Sequence, residues 1–268
     1  MAKNLGIVVP YRDRAQHLQI LVPHLAAFFS RAAKDIGGNI TVTVVQQEYG
    51  LEFNAGLMKN IGYSLCKNIC DYVCFHDVDY LPIWVDYSEP EGFAPIAWYG
   101  SESSTDARGV TTTHILDYFF GGVVLFRKAD FEKVNGYANA YWGWAYEDVD
   151  VYNRCLVEDV PLTRRKGTFQ RLPHINMGFD KSGDAVTPSA ANTRNKALFE
   201  SRFQPRVHAH SLTKSELDAN RRTCMKEKDG LSTIEFSILD RRSLPSPMTD
   251  ERGIKIEMVT VSPLTPKP

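Results

Sequence analysis

The chain has 268 residues, and its 31 lysines and arginines against 32 aspartates and glutamates leave a formal charge of -1. That balance provides no global field for DNA, RNA or an anionic membrane, so any anionic ligand must be held locally. The length suffices for one large α/β domain with a substantial core.

Leu5 to Pro10 (LGIVVP) is an apolar run closed by proline, the pattern of a strand buried on both faces of a parallel sheet. Asp13 and Gln16 read as a capping box. Leu18, Leu21, Val22, Leu25, Phe28 and Phe29 then recur at helical spacing, and Pro23 is expected to kink or split that helix. Ile40 to Gln46 predicts a second strand, Asn54 caps a helix reaching about Leu65, and Tyr72 to His76 predicts a third strand running into Asp77-Val78-Asp79. This β-α-β-α-β alternation builds a doubly wound sheet, which binds ligands beyond the carboxyl ends of its strands. Residues 10–14 and 77–79 both lie at such ends.

From Phe119, FFGGVVLFRKADFEKVNG predicts a glycine-marked bend, a strand and a short helix stopped by Gly136. The aromatic loop Tyr141-Trp142-Gly143-Trp144 leads into a helix starting near Glu147. Residues 175–206 are too polar and irregular for a core element and are the candidate mobile lid. A helix follows from about Thr213 to Lys228, ending at Gly230. Residues 232–239 and 254–261 alternate like half-buried strands, and a flexible tail occupies 263–268. One catalytic domain over residues 1–262 is the expected organisation.

The longest apolar stretch, Ile20 to Phe29, falls short of the roughly 20 residues of a membrane helix, so no membrane-spanning segment is expected. The N-terminus has no signal-peptide pattern. The five cysteines form no CxxC pair and read as reduced, mostly buried thiols of a reducing compartment.

On a strand, residues i and i+2 face the same way, so Asp77 and Asp79 are expected to point together into the crevice while Val78 points to the core. Two oxygen donors on one face suit a hard divalent cation that also grips a diphosphate; two aspartates capping a turn is the alternative. Pro10-Tyr11-Arg12-Asp13-Arg14 places an aromatic ring and two guanidinium groups where a nucleotide could be stacked and its charge countered. Glu147, Asp148 and Asp150 gather at a helix start, where the helix dipole alone favours acids. Trp142 and Trp144 just before them are not explained by the dipole, and aromatic faces beside carboxylates suit a sugar.

PYRDR (10–14), FNAGLMKNIG (53–62), FHDVDYLP (75–82), FFGGVVLFRKADFEKVNGYANAYWGWAYEDVDVYNR (119–154), His174 and DGLSTIEFSILD (229–240) resemble, in the same order, the beta-1,4-galactosyltransferase family. The resemblance covers nearly the whole chain. It implies a GT-A type, Rossmann-like fold with a mostly parallel twisted sheet flanked by helices. It also implies inverting transfer of a hexose, galactose by preference, from a UDP-sugar donor to a hydroxyl of a glycan or glycolipid acceptor. The cofactor it implies is Mn²⁺, with Mg²⁺ as the alternative.

By motif position, Asp148 would be the base, and Asp79 and His174 the metal ligands. Pro10, Tyr11, Arg12, Arg14 and Phe53 would surround the nucleotide. Trp144 would reach the diphosphate, while Asp77, Glu147, Phe119 and Gly122 would face the donor sugar. Several positions depart from the family pattern. Ala55 stands where an arginine is expected, Ala145 and Tyr146 replace small, usually glycine, residues, and Val149 replaces an acid that helps bind the acceptor. Arg171 stands where some members carry a methionine ligand. Rival readings are N-acetylgalactosamine or N-acetylglucosamine transfer, a binding protein that has lost transfer, and a glycoside hydrolase. The expected setting is a bacterial cytoplasm or, as second choice, a trimmed Golgi catalytic domain.

Overall fold

The computed structural model describes residues 2–32, 36–96, 101–105, 111–115, 120–163, 165, 167–173, 179–182, 185–203, 212–245 and 254–264. Strand β1 (Leu5–Tyr11), helix α1 (Ala15–Ala32), β2 (Ile40–Gln47), α2 (Ala55–Cys66) and β3 (Tyr72–His76) follow in the order the apolar runs predict. The chain continues through β4 (Tyr80–Val85), β5 (Phe93–Pro95), β6 (Ser101–Thr105), β7 (Thr111–Ile115), β8 (Val123–Arg127) and α3 (Lys128–Lys133). Next come α4 (Glu147–Val157), β9 (Gly167–Arg171), β10 (Phe179–Ser182), β11 (Ala185–Pro188), α5 (Ala190–Arg202) and α6 (Lys214–Thr223), then β12 (Phe236–Ser243) and β13 (Lys255–Pro263).

Among the described residues the main sheet has seven strands in the order β12-β13-β2-β1-β3-β8-β5. Its centre, β13-β2-β1-β3, is parallel, and β12, β8 and β5 join antiparallel. This is a GT-A type sheet in a single domain. Side chains alternate across β1: Val8 packs on the face covered by α2 and α4, whereas Ile7 and Val9 pack on the face covered by α1. Burial on both faces is what an uninterrupted apolar strand encodes. A second sheet, β4-β9-β6-β7, stands beside the end of β3.

Asn54 caps α2 as expected, its side chain accepting the Leu57 amide at 2.9 Å. Gly56 lets this helix press against the neighbouring wall, because a Cβ there would lie 2.8 Å from the Ala138 carbonyl and 3.3 Å from Glu147 Cβ. The five cysteines are free and buried. Among the described residues, no helix is long and apolar enough to cross a membrane.

Several expectations change. Asp13 makes no capping box; with φ 56 it turns back, and its carboxylate accepts the Tyr49 hydroxyl at 2.6 Å. Of the two outcomes expected at Pro23, a kink or a split, the split does not occur, since α1 runs unbroken through it. Gln19, whose carbonyl loses its amide partner to the proline, is exposed and can be hydrated. The helix from Thr213 stops at Thr223, and the strand expected from Ser232 begins at Phe236, after a 3₁₀ turn at Leu231–Thr233. The polar span 175–206 contains the regular helix α5, which buries Asn192, Asn195, Phe199 and Arg202.

Candidate active site

The DVD segment lies in the turn that follows β3, not on the strand itself. The Asp77 amide donates to the Gly122 carbonyl at 2.7 Å and the Tyr80 amide to the Asp77 carbonyl at 3.4 Å, which turns the chain out of the sheet. Val78 is buried, as expected. Beneath the turn, burial drives the His76 imidazole down to about 4, so the ring is neutral. Its Nδ1–H donates to the Asp77 carbonyl at 2.9 Å, and Nε2 accepts the Tyr87 hydroxyl at 3.0 Å. The aspartates are therefore held by backbone and a locked ring, with their carboxylates directed to different partners.

Asp79 is mostly buried and forms an ion pair with Arg171, whose Nε lies 3.3 Å from its Oδ2. The pairing follows from register, since Tyr80 stands opposite Arg171 across β4 and β9 and the Leu172 amide donates to the Asp79 carbonyl at 2.7 Å. The Arg171 guanidinium also lies over the Tyr80 ring, 5.6 Å from its centroid.

Asp77 faces Lys59, a residue that the motif reading passed over. Lys59 extends from the buried face of α2 and is only 3 % exposed. Its ammonium lies 3.6 Å from Glu147 Oε1 and 4.8 Å from the Tyr137 ring centroid. Burial opposes its charge, but Tyr137, Asp77, Glu147 and Asp148 outweigh burial and hold it protonated. Asp148 is pushed up to about 7, by burial first and Glu147 second, with Lys59 opposing both. Asp77 is pushed up to about 6 by burial, again against Lys59. One buried cation thus serves three carboxylates supplied by two segments far apart in sequence. The sequence signal was a lysine among the apolar residues of LMKNIG, three positions after Gly56 on the inward face.

Asp150, the third acid of the predicted cluster, turns away from the cleft. It is fully buried against Arg154, Nε to Oδ1 2.5 Å, and accepts the Tyr141 hydroxyl at 2.9 Å. Arg202 of α5 completes the group, 2.7 Å from Asp229 and 3.5 Å from Asp150. Asp150 is therefore a core residue tying α4 to α5. Val149 is likewise buried in the apolar core.

The aromatic loop divides its two tryptophans. Trp142, read as a sugar-facing ring, is fully buried, whereas Trp144 is 38 % exposed. Gly143, Ala145 and Tyr146 have φ of 84°, 84° and 79°, a left-handed stretch that costs the two non-glycines backbone strain. Helix α5 holds this conformation. Asn195 Nδ2 lies 3.1, 3.1 and 3.2 Å from the carbonyls of Trp142, Trp144 and Ala145, and Arg194 donates to Trp142 at 2.5 Å. A Cβ on Gly143 would lie 2.5 Å from Ala191 Cβ, so only glycine fits there. Tyr146 packs on Phe199 with ring centroids 5.5 Å apart.

The Gly143 amide donates to the Phe53 carbonyl at 2.8 Å, which joins this loop to the candidate nucleotide residues. Arg12 lies over the Phe53 ring at 5.4 Å and donates to the Leu51 carbonyl at 2.6 Å. Pro10 and Tyr11 close β1 and are largely buried, and Arg14 starts α1, its carbonyl accepting the Leu18 amide. Arg12 and Phe53 therefore stand together at the carboxyl end of the sheet. Gly122 contributes through its backbone contact with Asp77. Phe119 and His174 lie outside the described residues.

Asp79 offers the oxygen-donor chemistry that a hard divalent cation takes, whereas the Asp77 carboxylate is directed to Lys59. Among the described residues, no three metal-ligating side chains converge. Asp79 already has a cationic neighbour in Arg171, which can compensate the carboxylate without ligating a metal.

Two family models match the chain, the N-terminal region of glycosyl transferase group 7 over residues 1–87 and the N-terminal domain of galactosyltransferase over residues 113–179, together more than half of its length. Beta-1,4-galactosyltransferase 7 of Drosophila melanogaster is 30% identical over 187 residues, covering 68% of this chain and 55% of the relative. The human protein of the same name is 27% identical over 243 residues, covering 90% of this chain and 63% of the relative. A beta-N-acetyl-D-glucosaminide beta-1,4-N-acetylglucosaminyl-transferase of Lymnaea stagnalis is 31% identical over 212 residues, 74% of this chain and 40% of its own length. The chain thus spans less than two thirds of these curated relatives. Among solved structures, the catalytic domain of Drosophila beta1,4galactosyltransferase 7 in complex with xylobiose superposes with a TM-score of 0.62 at 22% identity, covering 98% of this chain and 94% of that one. A mutant of that enzyme in complex with manganese, UDP-Gal and xylobiose superposes with a TM-score of 0.61 at 23% identity, over the same shares of the two chains.

Proposed function

The chain belongs to glycosyltransferase group 7, and on that footing we propose that it transfers galactose from UDP-galactose to a sugar hydroxyl of a glycan or glycolipid, with inversion at the anomeric carbon. The observation that carries the reading is the group of Asp77, Glu147 and Asp148 around buried Lys59, beside exposed Trp144 and the Arg12–Phe53 pair. Burial and Glu147 push Asp148 up to about 7, so near neutral pH a substantial share of its carboxylate is ionised and basic enough to accept a proton.

In the reaction, Asp148 removes the proton of the acceptor hydroxyl as its oxygen bonds to the anomeric carbon. The bond from that carbon to the diphosphate oxygen breaks, and its electron pair leaves with UDP. Attack from the face opposite the leaving group inverts the centre. Phe53 and Arg12 bind the nucleotide by stacking and charge, Glu147 and Asp77 accept hydrogen bonds from donor-sugar hydroxyls, and Trp144 offers an apolar face. Asp79, with His174 as the second candidate ligand, would hold Mn²⁺, or Mg²⁺ as the alternative. A cation bound there supplies Lewis-acid stabilisation of the diphosphate leaving group. The structure of the Drosophila relative with manganese, UDP-Gal and xylobiose supports this donor, cofactor and acceptor class.

The Lymnaea relative favours a second reading, N-acetylglucosamine transfer, on the same site. A panel of UDP-sugars with Mn²⁺ and simple glycoside acceptors separates the two, and EDTA should abolish transfer with either donor. Asp148→Asn should lower kcat by about 10²-fold or more while UDP still binds. The acid limb of kcat/KM, expected near the Asp148 value of about 7, should also vanish in that variant. Near-normal turnover in Asp148→Asn would remove this residue from the role of base.

A further inference from the structure

Arg171 is placed by strand pairing, half-buried, with its Nε 3.3 Å from the carboxylate of Asp79. A divalent cation seeking that carboxylate meets a fixed positive charge at the same oxygen, and two cations sharing one carboxylate repel each other. A diphosphate changes the balance, because its oxygens attract the cation and also provide the planar, anionic partner that a guanidinium fits. We propose that Arg171 is a positioning residue that makes cation and nucleotide binding interdependent: it competes with the cation for Asp79 in the free protein and is drawn to the nucleotide's phosphates when both ligands are present. The proposal rests on the UDP-sugar reading above and specifies how that site fills.

Coupling of this kind is reciprocal, so UDP raises the affinity for Mn²⁺ by the same factor by which Mn²⁺ raises that for UDP. Removing the guanidinium then has opposite effects on the two ligands when each is alone. Arg171→Gln should bind Mn²⁺ by itself about 1.5- to 5-fold more tightly, the range that a partly exposed ion pair supplies. It should bind UDP more weakly, and the enhancement of Mn²⁺ binding by UDP should shrink by at least the same factor. Arg171→Lys keeps the charge but not the planar fork, so it should restore the weak binding of Mn²⁺ alone more fully than the coupling to UDP.

The measurement is Mn²⁺ binding followed by electron paramagnetic resonance and calorimetry, with and without UDP, on wild type and both variants, after thermal melts show that the variants fold. Unchanged or weaker binding of Mn²⁺ alone by Arg171→Gln overturns the proposal while leaving the UDP-sugar reading standing. The wild type tests the idea without any variant, since equal Mn²⁺ affinity with and without UDP also overturns it. If the wild type binds neither ligand, both the proposal and the reading beneath it fall.

Discussion

Replacing Lys59 by methionine keeps the length of the side chain and removes the buried ammonium that acts on Asp77, Glu147 and Asp148. Its ammonium lies 3.6 Å from Glu147, and unit charges about 4 Å apart at an effective dielectric of about 20 interact by about 4 kcal/mol. Removing one partner of such a pair costs about 3 to 5 kcal/mol when the other must stay charged. The carboxylates can instead take up protons, so the loss depends on pH. Asp148 stands at about 7 in the fold against 3.8 as its ordinary value, so folding binds its proton, and its contribution to stability is lost as pH rises through 7. Without Lys59 that value moves higher, by about one pH unit or more, and the window of loss moves with it. Urea titrations should show Lys59→Met destabilised by about 3 kcal/mol or more at pH 8.5 and much less at pH 5. The acid limb of kcat/KM should move upward, lowering activity at pH 7 by about fivefold or more beyond any loss of positioning. Lys59→Arg, if accommodated, should restore the limb even where kcat stays low. Equal destabilisation at both pH values together with an unmoved limb would refute the argument and reduce Lys59 to a packing residue.

Ala145→Gly should stabilise the fold by about 0.5 to 1 kcal/mol in urea unfolding, since glycine tolerates the φ of 84° without the alanine Cβ, less its own cost in the unfolded chain. A loss of stability would mean that the left-handed turn is not strained. Asn195→Ala leaves three loop carbonyls without their shared donor and should cost about 1 to 3 kcal/mol. It should also shift Trp144 emission and lower kcat/KM with UDP-galactose, whereas an unchanged spectrum and rate would uncouple α5 from the loop.

The parallel centre of the fold was legible because β1, β2 and β3 are apolar runs ended by polar turns, and α2 announces itself through Asn54. Asp77 and Asp79 stand out in the sequence, but alternation predicts a common direction that they do not share. Alternation assumes a strand that continues, and the amide bond from Asp77 to Gly122, a contact made across the sequence, ends it at His76. Lysine in a helix normally faces water, so the sequence does not mark Lys59, whose partners appear only when Gly56 brings α2 against α4. Asn195 and Arg202 were hidden for a related reason. A polar side chain that satisfies buried carbonyls or carboxylates reads, in sequence, like one that is merely solvated. Trp142 and Trp144 have the same chemistry and lie two residues apart, and only the fold, which places Trp142 in the apolar core, separates the buried ring from the exposed one.

The arrangement of the main sheet also bears on how the chain reaches its native state. β2, an apolar strand formed early in synthesis, has β1 on one side and β13 on the other, with Thr41 paired to Lys255 and Gln47 to Val261. Until that distant segment arrives, β2 offers a flat row of unpaired amides and carbonyls, a template for any other extended chain. Closing so long a loop is slow, which prolongs the exposure. Once closed, the outer position passes to β12, whose exposed Asp240, Arg241 and Arg242 discourage further pairing. A chain cut before residue 254 would therefore lose β13, the strand that covers β2 and holds β12 at the outer edge, and should accumulate as insoluble protein even though the candidate active-site residues lie upstream of the cut.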